Sequence, residues 1–200
     1  MIYFDIDDSS GGLLKDRGQK IFKSKIRAID LGEVPEGRQR FKFLIVGFED
    51  STVRVLSLEP ESCLDRVSMQ ALPAAPSAVS IAEMNDQLYL HIGLDNGVLL
   101  RTIIDNVTGG LSDSRSKFLG LDKIKLQKIV LQGESAVLAL SSKPYVCYSF
   151  MNQYQMTPLS YETLETACSF SSTQCFEGIV GIKGDELRII SVERIGEVFT

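Results

Sequence analysis

The sequence predicts an all-β fold: a segment of β-propeller, about four blades of four antiparallel strands, incomplete at both ends. Three observations predict it. Short runs of Val, Ile, Leu and Phe alternate with turn residues; the resulting hairpins recur at a near-constant period; and side-chain identities repeat at multiples of that period.

The clearest paired runs are Phe43–Gly47 with Thr52–Leu58, Leu88–Gly93 with Val98–Ile104, Ala136–Leu140 with Tyr145–Phe150, and Gly178–Ile182 with Leu187–Val192. No amphipathic helical stretch of about ten residues competes with them. Each pair is joined by a few polar, Gly or Pro residues, of which Asn96-Gly97 reads as a type I′ turn, because such a turn needs positive φ at both central residues. From Asp50 to Asn96 is 46 residues, from Asn96 to Lys143 is 47, and from Lys143 to Asp185 is 42. The segment Val53–Glu59 matches Leu187–Glu193 in residue class at every position, 134 residues later, and Ile6–Leu13 resembles Ile104–Leu111, 98 residues later.

A unit of about 40–50 residues with four short strands is one propeller blade. Full blades are expected over residues 25–69, 78–118 and 124–159, and partial ones over 1–20 and 163–200. The first full blade reads as Lys25–Leu31, Phe41–Gly47, Thr52–Leu58 and Cys63–Met69, and Ile195–Thr200 reads as the start of an outer strand. Gly47, Gly93 and Gly181 either mark strands crowding towards the hub or simply end their strands. An arc with two open ends leaves blade faces unpacked. Met1 is therefore expected to be an internal methionine of a polypeptide that continues in both directions.

With 21 basic and 26 acidic residues the net charge is −5, which argues against generic polyanion binding. Nine Lys/Arg nevertheless fall between Lys15 and Lys42 against four acids. A solvated face or a surface salt-bridged to acidic neighbours is the favoured reading of that stretch, with contact to a phosphate backbone as the alternative. No apolar run approaches the roughly 18–20 residues that cross a bilayer, so no membrane partner is expected. The spacing of Cys63, Cys147, Cys168 and Cys175 reads as reduced, buried structural thiols rather than a disulfide framework or zinc site.

Catalytic, cofactor-binding and metal-ligating residues are all read as none. The chain lacks the nucleophile-elbow, phosphate-loop, dinucleotide and His-Glu-x-x-His motifs, and its single histidine, His91, sits inside a strand, where a hydrogen-bonded core role is expected. Most acids fall at turns, where they cap or bend the backbone. Asp30, Glu83, Lys128 and Glu165, one per predicted inner strand, are the residues a channel-facing active site or small-ligand site would use. Edge solvation or pairing between blades accounts for them as well.

The chain also carries longer signatures: Val34–Arg40 leading into Phe43–Gly47, Asp50–Leu58, Leu64–Pro73, Ile92–Thr102, Thr108–Arg115, Thr157–Glu165 and Gln174–Val180. By these it resembles the triple-propeller family that includes damaged-DNA-binding protein 1 and the large subunit of the cleavage and polyadenylation specificity factor. The nearer likeness is to the family's pre-mRNA splicing branch. It is weakest at Asp8–Lys25 and around Met84–Gln87, where the connection is shorter than in the family. The resemblance implies the latter part of a second propeller and a non-enzymatic nuclear scaffold within the complex that recognises the intron branch site. Implied partners are a helical-repeat subunit and smaller protein subunits, with RNA contact weak or indirect and no cofactor or small-molecule substrate. A paralogous adaptor of a cullin-type ubiquitin ligase or of mRNA 3′-end processing is the alternative.

Overall fold

The computed structural model describes residues 1–7, 11–35 and 37–191. The turn acid Asp8 and the strand expected at Ile195–Thr200 lie outside the described residues. Among the described residues the fold is all-β, with one 3-10 turn at Pro60–Ser62. A two-stranded ribbon of β1 (Ile2–Asp7) and β2 (Leu13–Gln19) opens the chain. Three four-stranded antiparallel sheets follow. The first holds β3 (Ile26–Leu31), β4 (Phe43–Phe48), β5 (Thr52–Ser57) and β6 (Arg66–Ala71). The second holds β7 (Pro76–Met84), β8 (Gln87–Leu94), β9 (Val98–Ile104) and β10 (Leu111–Phe118). The third holds β11 (Lys125–Leu131), β12 (Glu134–Leu140), β13 (Pro144–Phe150) and β14 (Gln153–Pro158). A sheet of β15 (Thr166–Phe170), β16 (Gly178–Lys183) and β17 (Glu186–Ser191) completes the described chain.

Within every sheet the strands pair in sequence order, and the leading strands β3, β7, β11 and β15 pack side by side from one sheet to the next. That is blade-on-blade packing around a hub, with β6, β10 and β14 at the rim. Apolar clusters fill the clefts. Phe43, Ile45, Val53 and Val55 of the first sheet meet Val79, Ile81, Leu90 and Ile92 of the second. Ala82, Met84 and Leu99 of the second meet Ile124, Val137 and Ala139 of the third. Burial depends on having such a neighbour. Val53 and Val55 are fully buried, whereas their counterparts three periods later, Leu187 and Ile189, are each 68% exposed. Nothing among the described residues covers that face of β17.

The turns differ from the sequence reading in an instructive way. Asn96 does not adopt positive φ; only Gly97 does, at +75°, and its N–H donates to the Leu94 carbonyl at 3.2 Å. The connection is a three-residue loop closing on one left-handed residue, not a type I′ turn. Ser51, 46 residues earlier, is left-handed in the same way, at φ +56°. Turns with two consecutive left-handed residues occur instead at Asn85-Asp86, Gln132-Gly133 and Met151-Asn152, where two-residue connections close as type I′ turns. A second correction concerns β6. It starts at Arg66, not Cys63, because Pro60 starts a 3-10 turn and Leu64, at φ +62°, swings its buried side chain inward before the strand begins.

Two of the three strand glycines mark close approach between blades. A Cβ on Gly47 would stand 2.9 Å from Pro76 Cγ at the head of β7, and one on Gly93 2.7 Å from Ile124 Cγ2 just before β11. Gly181 is crowded by the connection that leads into its own sheet, with a Cβ falling 2.7 Å from Leu164 Cδ1.

Candidate functional site

The four acids and bases of a channel-type active site do not converge. Asp30 on β3 and Lys128 on β11 form an ion pair at 2.9 Å, while Asp30 Oδ2 also accepts the Ile81 N–H at 2.7 Å and Lys128 donates to the Leu31 carbonyl. Glu83 is exposed and shares a surface pocket with Lys42 and Arg38 instead. Glu165 stands just before β15 rather than on an inner strand, and accepts the Gly184 N–H at 2.9 Å. Pairing between blades is thus the observed role of Asp30 and Lys128.

The basic stretch is likewise divided. Lys20 reaches Asp65 at 3.0 Å and the Leu64 carbonyl at 2.8 Å; Arg27 meets Asp95 at 2.8 Å; Lys42 donates to the Val107 carbonyl at 2.9 Å. These cations pin neighbouring blades to one another. Asp105 shows how the turn acids work. Its Oδ1 accepts the Thr108 N–H, the Thr108 hydroxyl and the Val107 N–H, and these bonds hold its carboxyl below the usual range. The cysteines depart from expectation. Cys147 is buried, but Cys168 is exposed and Cys63 and Cys175 are half-buried. Cys168 follows buried Ala167 on β15, so strand alternation turns it to the opposite face.

The most unusual chemistry lies between the second and third sheets. Strand register places Ser80, His91, Arg101 and Arg115 side by side, one from each strand of the second sheet, running from hub to rim. Tyr154, Cys147 and Met156 of the third sheet face this row. His91 is fully buried, with Nε2 3.1 Å from the Tyr154 hydroxyl and its ring stacked on that of Tyr154. Burial, aided by the nearby Arg101 charge and offset in part by the Ser80 backbone, lowers its pKa to about 3, so the ring is neutral at neutral pH. Burial likewise pushes the Cys147 thiol up to about 11 and raises the Tyr154 phenol.

Arg101 is 8% exposed. Its guanidinium lies 4.7 Å from the Tyr154 ring centroid and 5.3 Å from that of Tyr89, and one terminal nitrogen bonds Asp113 Oδ2 at 2.7 Å. Asp113 reaches it from a bulge in β10, where its own φ is +45°. Among the described residues, three buried side-chain polar atoms make no hydrogen bond to protein: Ser80 Oγ, His91 Nδ1 and Arg101 Nε, all in this row. The row opens at the rim into a groove of about 280 Å³ lined by Arg101, Arg115, Ser116, Lys117, Tyr154 and Met156. Sequence reading anticipated a hydrogen-bonded core role for His91 but missed the row. Its signal was present: His91 and Arg101 interrupt otherwise apolar runs and lie five residues either side of Asn96, so a hairpin centred there pairs them.

A family model for the RSE1/DDB1/CPSF1 second β-propeller matches residues 1–192. The chain belongs to this family. It is 46% identical to splicing factor 3B subunit 3 of Danio rerio over its full length and 48% identical to pre-mRNA-splicing factor rse1 of Emericella nidulans over 98% of it. It is 45% identical to spliceosome-associated protein 130 A of Arabidopsis thaliana, again over its full length. In each case the chain spans 17% of the relative's length. Among solved structures, BBS1N in complex with ARL6DN aligns at a TM-score of 0.57 and 14% identity, covering 92% of this chain and 51% of that one. At that identity the likeness is one of fold.

Proposed function

We propose that this chain is propeller scaffold from a subunit of the splicing factor 3B complex, acting in the nucleus in pre-mRNA splicing and binding proteins rather than catalysing a reaction. The observation that carries the reading is 45–48% identity, over 98–100% of the chain, to three proteins named as splicing or spliceosome-associated factors. A helical-repeat subunit and small protein subunits are the partners of this reading. Packed blades present a preformed surface, so docking costs little ordering entropy. The mutual neutralisation of Asp30 and Lys128 and the burial of the neutral His91 support a non-enzymatic role. RNA contact is weak or indirect, because cations of the basic stretch are engaged between blades.

Affinity purification of the tagged protein from nuclear extract tests the proposal. Co-recovery of splicing proteins is expected. Recovery of a cullin ligase or of polyadenylation factors without splicing proteins would replace it with the adaptor reading.

A further inference from the structure

We propose that the groove between rim strands β10 and β14 binds an extended acidic segment of a partner protein, whose Asp or Glu carboxylates are taken by Arg101, Arg115 and Lys117. Charge is the first observation. The chain carries −5 overall, yet three of the six residues lining this groove are cationic, and Asp113 pairs with two of them, Arg101 and Arg115. Arg101 is the second. It lines the groove while more than nine-tenths buried, and its Nε has no partner. A buried guanidinium left short of partners is costly, and an incoming carboxylate in the groove compensates its charge.

Geometry selects an extended chain. Arg115 and Lys117 are two residues apart on β10, and Tyr154 and Met156 are two residues apart on β14, so each wall repeats every roughly 6.6 Å, the two-residue repeat of an extended peptide. Alternating side chains of such a peptide would set carboxylates against the cationic wall and apolar groups against Tyr154 and Met156. Both walls are the last strands of their sheets, with no further strand paired to them among the described residues. The left-handed backbone of Asp113 also fits a binding role. It is strain at a bulge that aims a carboxylate at Arg101, in the place an incoming carboxylate would take.

A nucleic acid fits less well. Stacking of bases needs free aromatic faces. The Tyr154 ring is engaged by His91 and Arg101, and the Tyr145 ring by Lys117. The inference does not depend on which assembly the chain serves: the peptide titration below decides the groove, and affinity purification decides the splicing role.

The test is fluorescence anisotropy on the full-length protein with a fluorescein-labelled ten-residue peptide alternating Glu and Val. A Gln/Val peptide and a ten-nucleotide oligouridylate serve as comparisons. The Glu peptide should saturate, weaken as salt rises, and lose about tenfold or more in affinity in the Arg115→Ala/Lys117→Ala double variant. Both side chains are exposed, so the unfolding temperature should not move. Asp113→Asn tolerates the left-handed backbone, removes the competing carboxylate and should tighten binding about threefold or more. Equal affinity for the Gln peptide, wild-type affinity in the double variant, or tighter binding of oligouridylate lost in that same variant would each overturn the proposal.

Discussion

One strand, β8, faces two different worlds. Leu88, Leu90, Ile92 and Leu94 point into the cleft with the first sheet, whose interior is apolar but for Thr102, bonded through Ser114 to Gln70 on the way to the rim. Tyr89, His91 and Gly93 point the other way, into a cleft that joins apolar packing near the hub to a polar row reaching the rim. Both faces are buried, so the difference is one of mechanism. The first cleft is held by dispersion and dehydration, and its vulnerability is to lost volume. The second is held by close backbone approach and by polar groups buried together, so it is vulnerable to added volume, to added protons and to unpaired charge.

The sharpest break of the comparison is Gly97→Val, in the loop that carries β8 into β9. A Cβ there would fall 1.7 Å from the Gly120 carbonyl oxygen, and the residue must hold φ +75°. A loss of about 4 kcal/mol or more is expected in chemical unfolding. Gly133→Val tests the backbone contribution by itself: its φ is +78° but nothing lies within 4 Å of the new Cβ. That variant should lose only about 1–2 kcal/mol. On the apolar face the expectation reverses. Leu90→Ala removes volume from the first cleft, where Leu90 is fully buried, and should cost about 3 kcal/mol without altering how stability depends on pH.

The two faces were not equally legible in the sequence. The blade repeat shows in hydrophobic alternation and turn spacing because each hairpin is a local unit. The paired runs from Phe43 to Leu58 and from Leu88 to Ile104 emerge as hairpins within one to two residues of their read boundaries. Contacts between sheets are non-local and left no such trace. Nothing near His91 in the chain announces Tyr154, and nothing near Asp30 announces Lys128. The repeat also says nothing of burial, as Val55 and Ile189 show by occupying equivalent positions with opposite exposure. Turn type failed for a local reason. Asn96-Gly97 was read as two central residues, but a third loop residue, Asp95, relieves Asn96 of positive φ.

Acid should expose the polar face next. His91 has a folded pKa of about 3 against an ordinary 6.5, so unfolding takes up a proton between those values. Its contribution to stability is therefore complete above pH 6.5 and declines as pH falls through the window towards 3, at up to about 1.4 kcal/mol per pH unit. The depressed carboxylates Asp105 and Glu162 begin from ordinary values of 3.8 and 4.5, so the upper part of the window belongs to His91. Unfolding free energies at pH 7 and pH 5 should differ by about 2 kcal/mol from this group, and His91→Gln should flatten that interval. A slope unchanged by the substitution would remove His91 as its source.

The smallest effect lies where the two faces meet. Asp95, in the β8–β9 loop, is 2.8 Å from Arg27 of the first sheet and 4.0 Å from Lys123, which leads into the third. The two contacts are unequal in kind. Arg27 also donates through its second terminal nitrogen to Asp95 Oδ1 at 3.3 Å, a two-point grip between half-shielded side chains, whereas Lys123 is 68% exposed at the limit of ion-pair distance. A double-mutant cycle on Arg27 and Asp95 should return a coupling of about 0.5–1 kcal/mol that shrinks with added salt, and one on Lys123 and Asp95 should return about 0–0.2 kcal/mol. Equal couplings would mean that Asp95 clamps both clefts alike. The predicted inequality would mean that this acid serves the apolar cleft, leaving the other to depend on the glycine contacts and the buried polar row.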